Sequence, residues 1–505
     1  MADRHLLVPP ENGVTVRMYR QGHGDCFLIA FPRQGGGDPY YVMIDCGYKP
    51  GSQAFLDHGK PIGDVVDHLH SSCGGHLDLA ILTHEHQDHL NGIWKPNKPY
   101  FAGFRIDEAW VAWTEDPEHD LADNLRKRHK DQLLGLLAAR HELAAAGETD
   151  SSLTRLDALL GFEVGGDAEE LDMREMLAAA QNPQKSVNKQ GLKLVKDKAA
   201  AKRGARFLSP GREPLSLRGA AGIRAFVLGP PEDAELIADE DPRGGEGFPQ
   251  NPRFSFAGAV RVPAEKRASP FRRHFSVPLK DAFESDSFFA ESYGDGDGPA
   301  DDRDGVEVPS NPPWRRIDTE WLYSAETLAL KLNTGINNTS LAIAFELPKT
   351  KKILFFAADA QRGNWVSWKD VTFEDGSRTA TAKDLLARAV LYKVGHHGSH
   401  NATLSGSADD QYPNLAWMGQ GPAASEFTAM ITAVTKWATT KNQPPWVHPL
   451  PSIRAALARK ARGRVFQTDE NEPVKPDDVS PAEWKRFKDR SVFEDLYFDW
   501  TVLDE

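Results

Sequence analysis

The stretch ILTHEHQDHLNG, residues 81–92, constrains the chain more than any other. Three histidines and an aspartate fall within His84–His89 in the pattern H-x-H-x-D-H, directly after the apolar run LDLAIL. In an extended segment residues two apart point to the same side, so His84 and His86 can face one metal ion. As the chain turns into a helix after Asp88, the adjacent Asp88 and His89 are redirected towards a second ion. Imidazole nitrogens with a carboxylate oxygen suit zinc, with manganese or iron as alternatives. The loop is only part of a site, because two ions need further ligands and one ligand usually bridges them.

Two later segments supply the same chemistry. Asp359 closes the apolar run KKILFFAADA, and VGHHGSH ends another apolar run with His396, His397 and His400, where Gly398 allows close backbone approach. Alone, Asp359 reads as a surface turn and the histidines read equally well as an exposed polar loop. Together with H-x-H-x-D-H they form complementary ligand sets on strand ends.

The rest of the chain supports an α/β core. GVTVRMYR, CFLIAF and YYVMIDCG read as the strands of an opening meander. KPIGDVVDHLH has helical spacing, and LDLAILTH is a buried strand running into the ligand loop. Strand, helix, strand, ligand loop is a layered order. Residues 117–204 read as a helical insertion and 235–316 as a Gly/Pro/Asp-rich loop insertion. Strand patterns return in SLAIAFEL, KKILFFAADA and LYKVG. The expectation is therefore one core domain over 12–480 carrying two insertions, with 481–505 as a C-terminal tail.

Bulk properties narrow the class. With 505 residues, 40% hydrophobic, the chain can bury a large core, and its net charge of −13 excludes an overall basic footprint for duplex DNA. No apolar run reaches the length of a membrane span, so no membrane is expected and a cytoplasmic location follows by default. Cys26, Cys46 and Cys73 lack CxxC spacing and read as reduced, mostly buried thiols. His129, His141 and His274, in the inserted segments, read as surface histidines.

GHGDCFLI, YYVMIDCG, LDLAILTHEHQDHLNG, IRAFVLGPP, NNTSLAIAFEL, ILFFAADA, LYKVGHHGSH and RGRVFQTD occur in the order found in metallo-β-lactamase-fold hydrolases. The chain most resembles the branch containing the soluble hydrolase domain of ComEC-type DNA-uptake proteins, over about half its length and outside both insertions. The resemblance implies a four-layered αβ/βα sandwich with a dinuclear centre at one edge. In it His84 and His86 would hold the first ion and Asp88 and His89 the second, with Asp359 bridging. His396 would complete the second ion, and His397 would stand beside the substrate or leaving group. Asp88 and His397 are the residues expected to take part in the reaction. Asp25, Asp45 and His400 are expected around them, ordering ligands or meeting substrate. The chain departs from the commonest pattern in GINNTSLAIAF, where Asn337 or Asn338 stands where many relatives place a further histidine. Asparagine is a poor zinc ligand, so the first ion is the more weakly provided.

Two bridged ions imply hydrolysis, and the resemblance points to a phosphodiesterase or nuclease with nucleic acid or nucleotides as substrate. Two alternatives use the same sequence: a hydrolase of small esters, thioesters or lactams, which the acidic charge favours, and a non-catalytic scaffold that docks a protein partner through the helical insertion.

Overall fold

A computed structural model of the chain describes residues 6–95, 98–145, 156–157, 160–161, 163, 186–249, 335–376, 378–441 and 446–505. Met1–Pro249 and Ala329–Glu505 group into one compact unit; a second unit, Gln250–Leu328, lies outside the described residues, and with it most of the expected loop insertion and His274.

The protein is a mixed α/β structure built on two large sheets. Among the described residues the first sheet has the order Ser491–Phe493, Tyr497–Leu503, Gly13–Tyr19, Cys26–Phe31, Tyr40–Cys46, Leu79–Leu82, Ala109–Ala112, Ala205–Leu208. The second has the order Val465–Gln467, Thr428–Ile431, Ala389–Lys393, Ile353–Phe356, Ala342–Glu346, Arg224–Gly229, Leu215–Ser216. Each sheet is antiparallel on one side and parallel on the other. Parallel pairing runs from Tyr40–Cys46 through Leu79–Leu82 and Ala109–Ala112 to Ala205–Leu208. In the second sheet it runs from Ile353–Phe356 through Ala389–Lys393 and Thr428–Ile431 to Val465–Gln467.

Period-two patterning explains why these runs become strands buried on both sides. In CFLIAF, Phe27, Ile29 and Phe31 enter a core shared by the two sheets, while Leu28 and Ala30 face a separate cluster containing Val65, Leu69, Leu192 and Val195. In the second sheet Leu354 and Phe356 enter the shared core, while Ile353 and Phe355 pack with Trp365, Trp368 and Leu385. Across the shared core the Phe27 and Phe356 rings lie 5.5 Å apart, and Phe31 and Phe345 lie 5.7 Å apart. Buried aromatics of this size supply most of the apolar area that holds such layers together.

The helix Ile62–Ser72 buries Ile62, Val65, Val66 and Leu69, the spacing that one helical stripe requires. The expected helical insertion is helical where it is described, over Asp120–Ala145 and Val187–Ala200. The second of these helices packs Leu192, Val195 and Ala199 onto the outer face of the first sheet.

The expected tail at 481–505 is instead part of the core. After the helix Pro481–Asp489, the strand Tyr497–Leu503 pairs antiparallel with Gly13–Tyr19, from Gly13 opposite Leu503 to Tyr19 opposite Tyr497. Phe498, Trp500 and Val502 fill the shared core. The alternation in YFDWTVL is the signal that marks this strand. All three cysteines are free and buried. Among the described residues no helix is long and apolar enough to cross a membrane.

Candidate metal centre

The ligand-type residues collect because they follow the carboxyl ends of parallel strands. His84–His89 follows Leu79–Leu82, Asp359 follows Ile353–Phe356, and His396 and His397 follow Ala389–Lys393. Crevices outside strand carboxyl ends are where open α/β sheets gather functional groups.

One ligand atom from each of Asp88, His89, Asp359 and His397 lies within 4.8 Å of the others, and all four residues are buried. His397 Nε2 is 3.1 Å from Asp88 Oδ2 and 3.5 Å from Asp359 Oδ2. His89 Nε2 is 3.2 Å from Asp359 Oδ2. Beside this group His84 Nε2 is 3.1 Å from His86 Nδ1 and 3.9 Å from Asp359 Oδ2. Asp359 Oδ2 thus lies within 4 Å of His84, His89 and His397.

Asp88 Oδ1, His89 Nε2 and Asp359 Oδ2 are buried without a hydrogen-bond partner among the described residues. Buried polar atoms are normally paired, and their convergence is what a metal-binding cluster requires. The donor set fits a borderline cation such as zinc.

Asp45 sets up the loop from below. Its Oδ1 accepts from the Thr83 amide at 2.8 Å, its Oδ2 accepts from the Thr83 hydroxyl at 2.6 Å, and Oδ2 lies 2.8 Å from His89 Nδ1. This leaves His89 Nε2 turned towards Asp359. Asp25 stands on the same side of the ring, its Oδ2 3.7 Å from His89 Nδ1; it accepts from the Thr432 hydroxyl at 2.6 Å and pairs with Lys393 Nζ at 2.5 Å. Lys393 also donates to the Ala358 carbonyl at 2.9 Å and stands 3.4 Å from Asp359 Oδ1, leaving Oδ2 for the cluster.

Charge within this buried space is strongly coupled. Burial alone would raise the Asp359 carboxyl, but His89, His397 and Lys393 outweigh it and hold the carboxyl well below the usual range. Burial opposes charge on His89, yet Asp359, Asp25 and Asp45 push its pKa well above the ordinary histidine value. Burial, with His89 and His86 nearby, pushes His84 well below it.

The two neighbouring histidines divide differently from expectation. His397 Nδ1 is 3.0 Å from both the Thr432 carbonyl and hydroxyl, which turns Nε2 into the four-residue cluster. His396 is the more exposed of the two; its Nδ1 is 3.0 Å from the Ser399 hydroxyl, and its Nε2 lies 3.9 Å from Asp359 and 3.4 Å from Asn337 Nδ2. Both residues have positive φ, 37° and 53°, so a tight left-handed turn throws their rings in different directions. His397, in place of His396, therefore joins Asp88, His89 and Asp359.

Asn337 faces His396, whereas Asn338 is turned away and ties loops together, donating to the Ile237 and Asp239 carbonyls and accepting from the Gln361 amide. His400 sits outside the cluster, 3.1 Å from Asp241 Oδ1.

Further residues stand around the cluster, of which Lys49, Glu163 and His448 carry no signal in the sequence. His23 is fully buried against the His397 ring at 4.5 Å and stacks on His448 at 5.6 Å. Lys49 Nζ lies 4.0 Å from Asp88 Oδ2 and 5.2 Å from the Trp446 ring centre, and burial pushes its pKa down to about 8. His129, expected on the surface, is half-buried with Nε2 3.1 Å from Glu163 Oε2, and Glu163 Oε1 is 3.6 Å from His86 Nε2. Burial opposes the Glu163 charge, but His129 and His86 bring its carboxyl down to about 2. A glutamate inside an insertion carries no motif that would have marked it.

Fold and cluster together define a mixed α/β protein with a buried imidazole–carboxylate centre able to hold metal. The chain matches no protein-family model and no curated protein.

Proposed function

We propose that the chain is a metal-dependent hydrolase of the metallo-β-lactamase fold, related to the ComEC-type branch, that takes two divalent ions and cleaves phosphodiesters of nucleic acid or nucleotides. Zinc is the first choice of metal, with manganese or iron as alternatives. The observation that carries the reading is the convergence of Asp88, His89, Asp359 and His397 within 4.8 Å, with the His84/His86 pair beside them near Asp359. Two sheets sharing one core, with helices against their outer faces, support the four-layered αβ/βα arrangement.

Bound ions would activate water at neutral pH and polarise a phosphoryl oxygen. The chain's own residues prepare the place. Asp45 fixes the His89 ring, Lys393 engages one oxygen of Asp359, and Thr432 orients His397. Such outer contacts set imidazole tautomer and direction. Lys49, beside Asp88 and over Trp446, offers a cation to an anionic substrate, which favours phosphodiesters over neutral esters.

Elemental analysis of the purified chain should find two ions, and bis-p-nitrophenyl phosphate should be turned over. Asp359→Ala and His86→Ala should each abolish that turnover. Preferential cleavage of acyl esters would transfer the site to the ester and lactam class. No bound metal, with stability unchanged by a chelator, would leave only the scaffold reading.

A further inference from the structure

By the resemblance to metallo-β-lactamase-fold hydrolases the proposed first half-site would take a third imidazole, and the chain has asparagine, Asn337 or Asn338, at that place in the sequence. The helical insertion offers something in return. His84 Nδ1 faces the hydroxyls of Thr83 at 3.1 Å and Ser340 at 3.3 Å, which leaves Nε2 pointing to His86 Nδ1, 3.1 Å away. Ligand atoms on a tetrahedral zinc at ~2.0–2.1 Å stand roughly 3.3 Å apart. These two nitrogens are thus the pair an ion would join.

A histidine ligated through Nδ1 carries its proton on Nε2, and that N–H needs an acceptor. On this side of His86 stands Glu163 Oε1, at 3.6 Å. The Glu163 side chain is 2% exposed, and among the described residues its Oε1 accepts no hydrogen bond. The other oxygen is held by His129 Nε2 at 3.1 Å. A buried carboxylate oxygen without a donor is costly, so the arrangement calls for one at that point.

The insertion grips the same loop once more. Lys189, from the helix Val187–Ala200, pairs with Glu85, which lies between the two histidines, and with Glu115 at 3.2 Å.

We propose that Glu163, oriented by His129, is a positioning residue for the first metal ion: it accepts the Nε2–H of His86 and so fixes Nδ1 of His86 as the ligand atom. This rests on the dinuclear reading above and adds to it a role for the insertion, which makes up part of what the missing histidine would have given.

The test is metal affinity, measured with the metal alone. Cobalt(II) and zinc(II) are titrated into the full-length chelator-treated chain against a chromophoric chelator, for wild type, Glu163→Ala, Glu163→Gln and His129→Ala. Each variant is also placed in a His397→Ala background, where the His84/His86 pair is the half-site left intact. Glu163→Ala should weaken the first ion ~10–100-fold and leave the second unchanged, the range found when such outer carboxylates are removed. Glu163→Gln, which keeps an oxygen acceptor, should recover part of the loss. Melting of the metal-free proteins separates folding from ligation, because a purely structural role would lower it and weaken both ions alike. Wild-type affinity for both ions in Glu163→Ala, or equal weakening of both, overturns this inference and leaves the proposed function standing. A wild-type chain that binds no divalent ion overturns both.

Discussion

His397 Nε2 lies 3.1 Å from Asp88 Oδ2, joining residues 309 positions apart in the chain. The contact decides which of two adjacent histidines completes the cluster. His397 is buried and aimed by Thr432, whereas His396 is held by Ser399 and faces Asn337. His397→Ala should therefore lower the metal content from two ions to one and remove phosphodiesterase turnover. His396→Ala should keep both ions and alter KM. Elemental analysis of the two variants checks this, and the opposite pattern would exchange their roles.

Gly47 marks a close backbone approach in the site. The end of strand Tyr40–Cys46 passes directly against the short helix Gln87–Leu90, with the Gly47 amide donating to the Asp25 carbonyl at 2.9 Å and the Asp25 amide to the Asp88 carbonyl at 3.0 Å. A Cβ at Gly47 would overlap the Asp88 carbonyl carbon and the His89 amide nitrogen. Gly47→Ala should destabilise the fold by about 1–3 kcal/mol, the usual cost of overpacking, and weaken metal binding by displacing Asp88 and His89. Denaturant unfolding and metal titration read the two effects, and unchanged metal affinity would count against this placement of the loop.

What the sequence disclosed, and what it hid, follows from the physics of each segment. CFLIAF and KKILFFAADA were legible as strands because both of their faces are apolar, and the ligands at strand ends were legible because they interrupt those runs abruptly. Ala109–Ala112 and Thr428–Ile431, four residues each, are too short to show a period. Lys393 was hidden by the apolar strand around it, since its burial makes sense only once Asp25 and Asp359 face it from other segments. The choice of His397 over His396 lies in a left-handed turn, which composition does not reveal.

The closing strand shows the same point through a salt bridge. Arg17 and Asp499, opposite each other on paired strands, make two 2.7 Å contacts while nearly fully buried, and the Arg17 guanidinium lies 3.6 Å from the Tyr497 ring centre. In sequence the pairing is hidden by the 482 positions between them. Asp499→Ala strands a buried guanidinium and should cost about 3–5 kcal/mol, measured by urea unfolding. A cost near zero would mean that the C-terminal strand contributes little to the fold.

Asp504 predicts a pH dependence at the same edge. Its Oδ1 accepts from the Thr350 amide at 2.8 Å and hydroxyl at 2.7 Å, and its Oδ2 accepts from the Lys349 amide at 3.1 Å. Burial would raise the carboxyl, but the hydrogen bonds from Thr350 and Lys349 outweigh it and lower the pKa. A carboxyl whose pKa is lower in the folded than in the unfolded state adds stability above the unfolded value, about 3.9, and loses it as pH falls through the folded value. Asp504→Ala should therefore melt below wild type at neutral pH, and the gap should close as the pH falls below the ordinary carboxylate range. Asp504 is buried, with 6% of its surface exposed, so salt should screen the effect only weakly. Thermal melts of both proteins across the acid range test this; a gap that stays constant with pH would show that the Asp504 charge contributes nothing to the closure of the sheet.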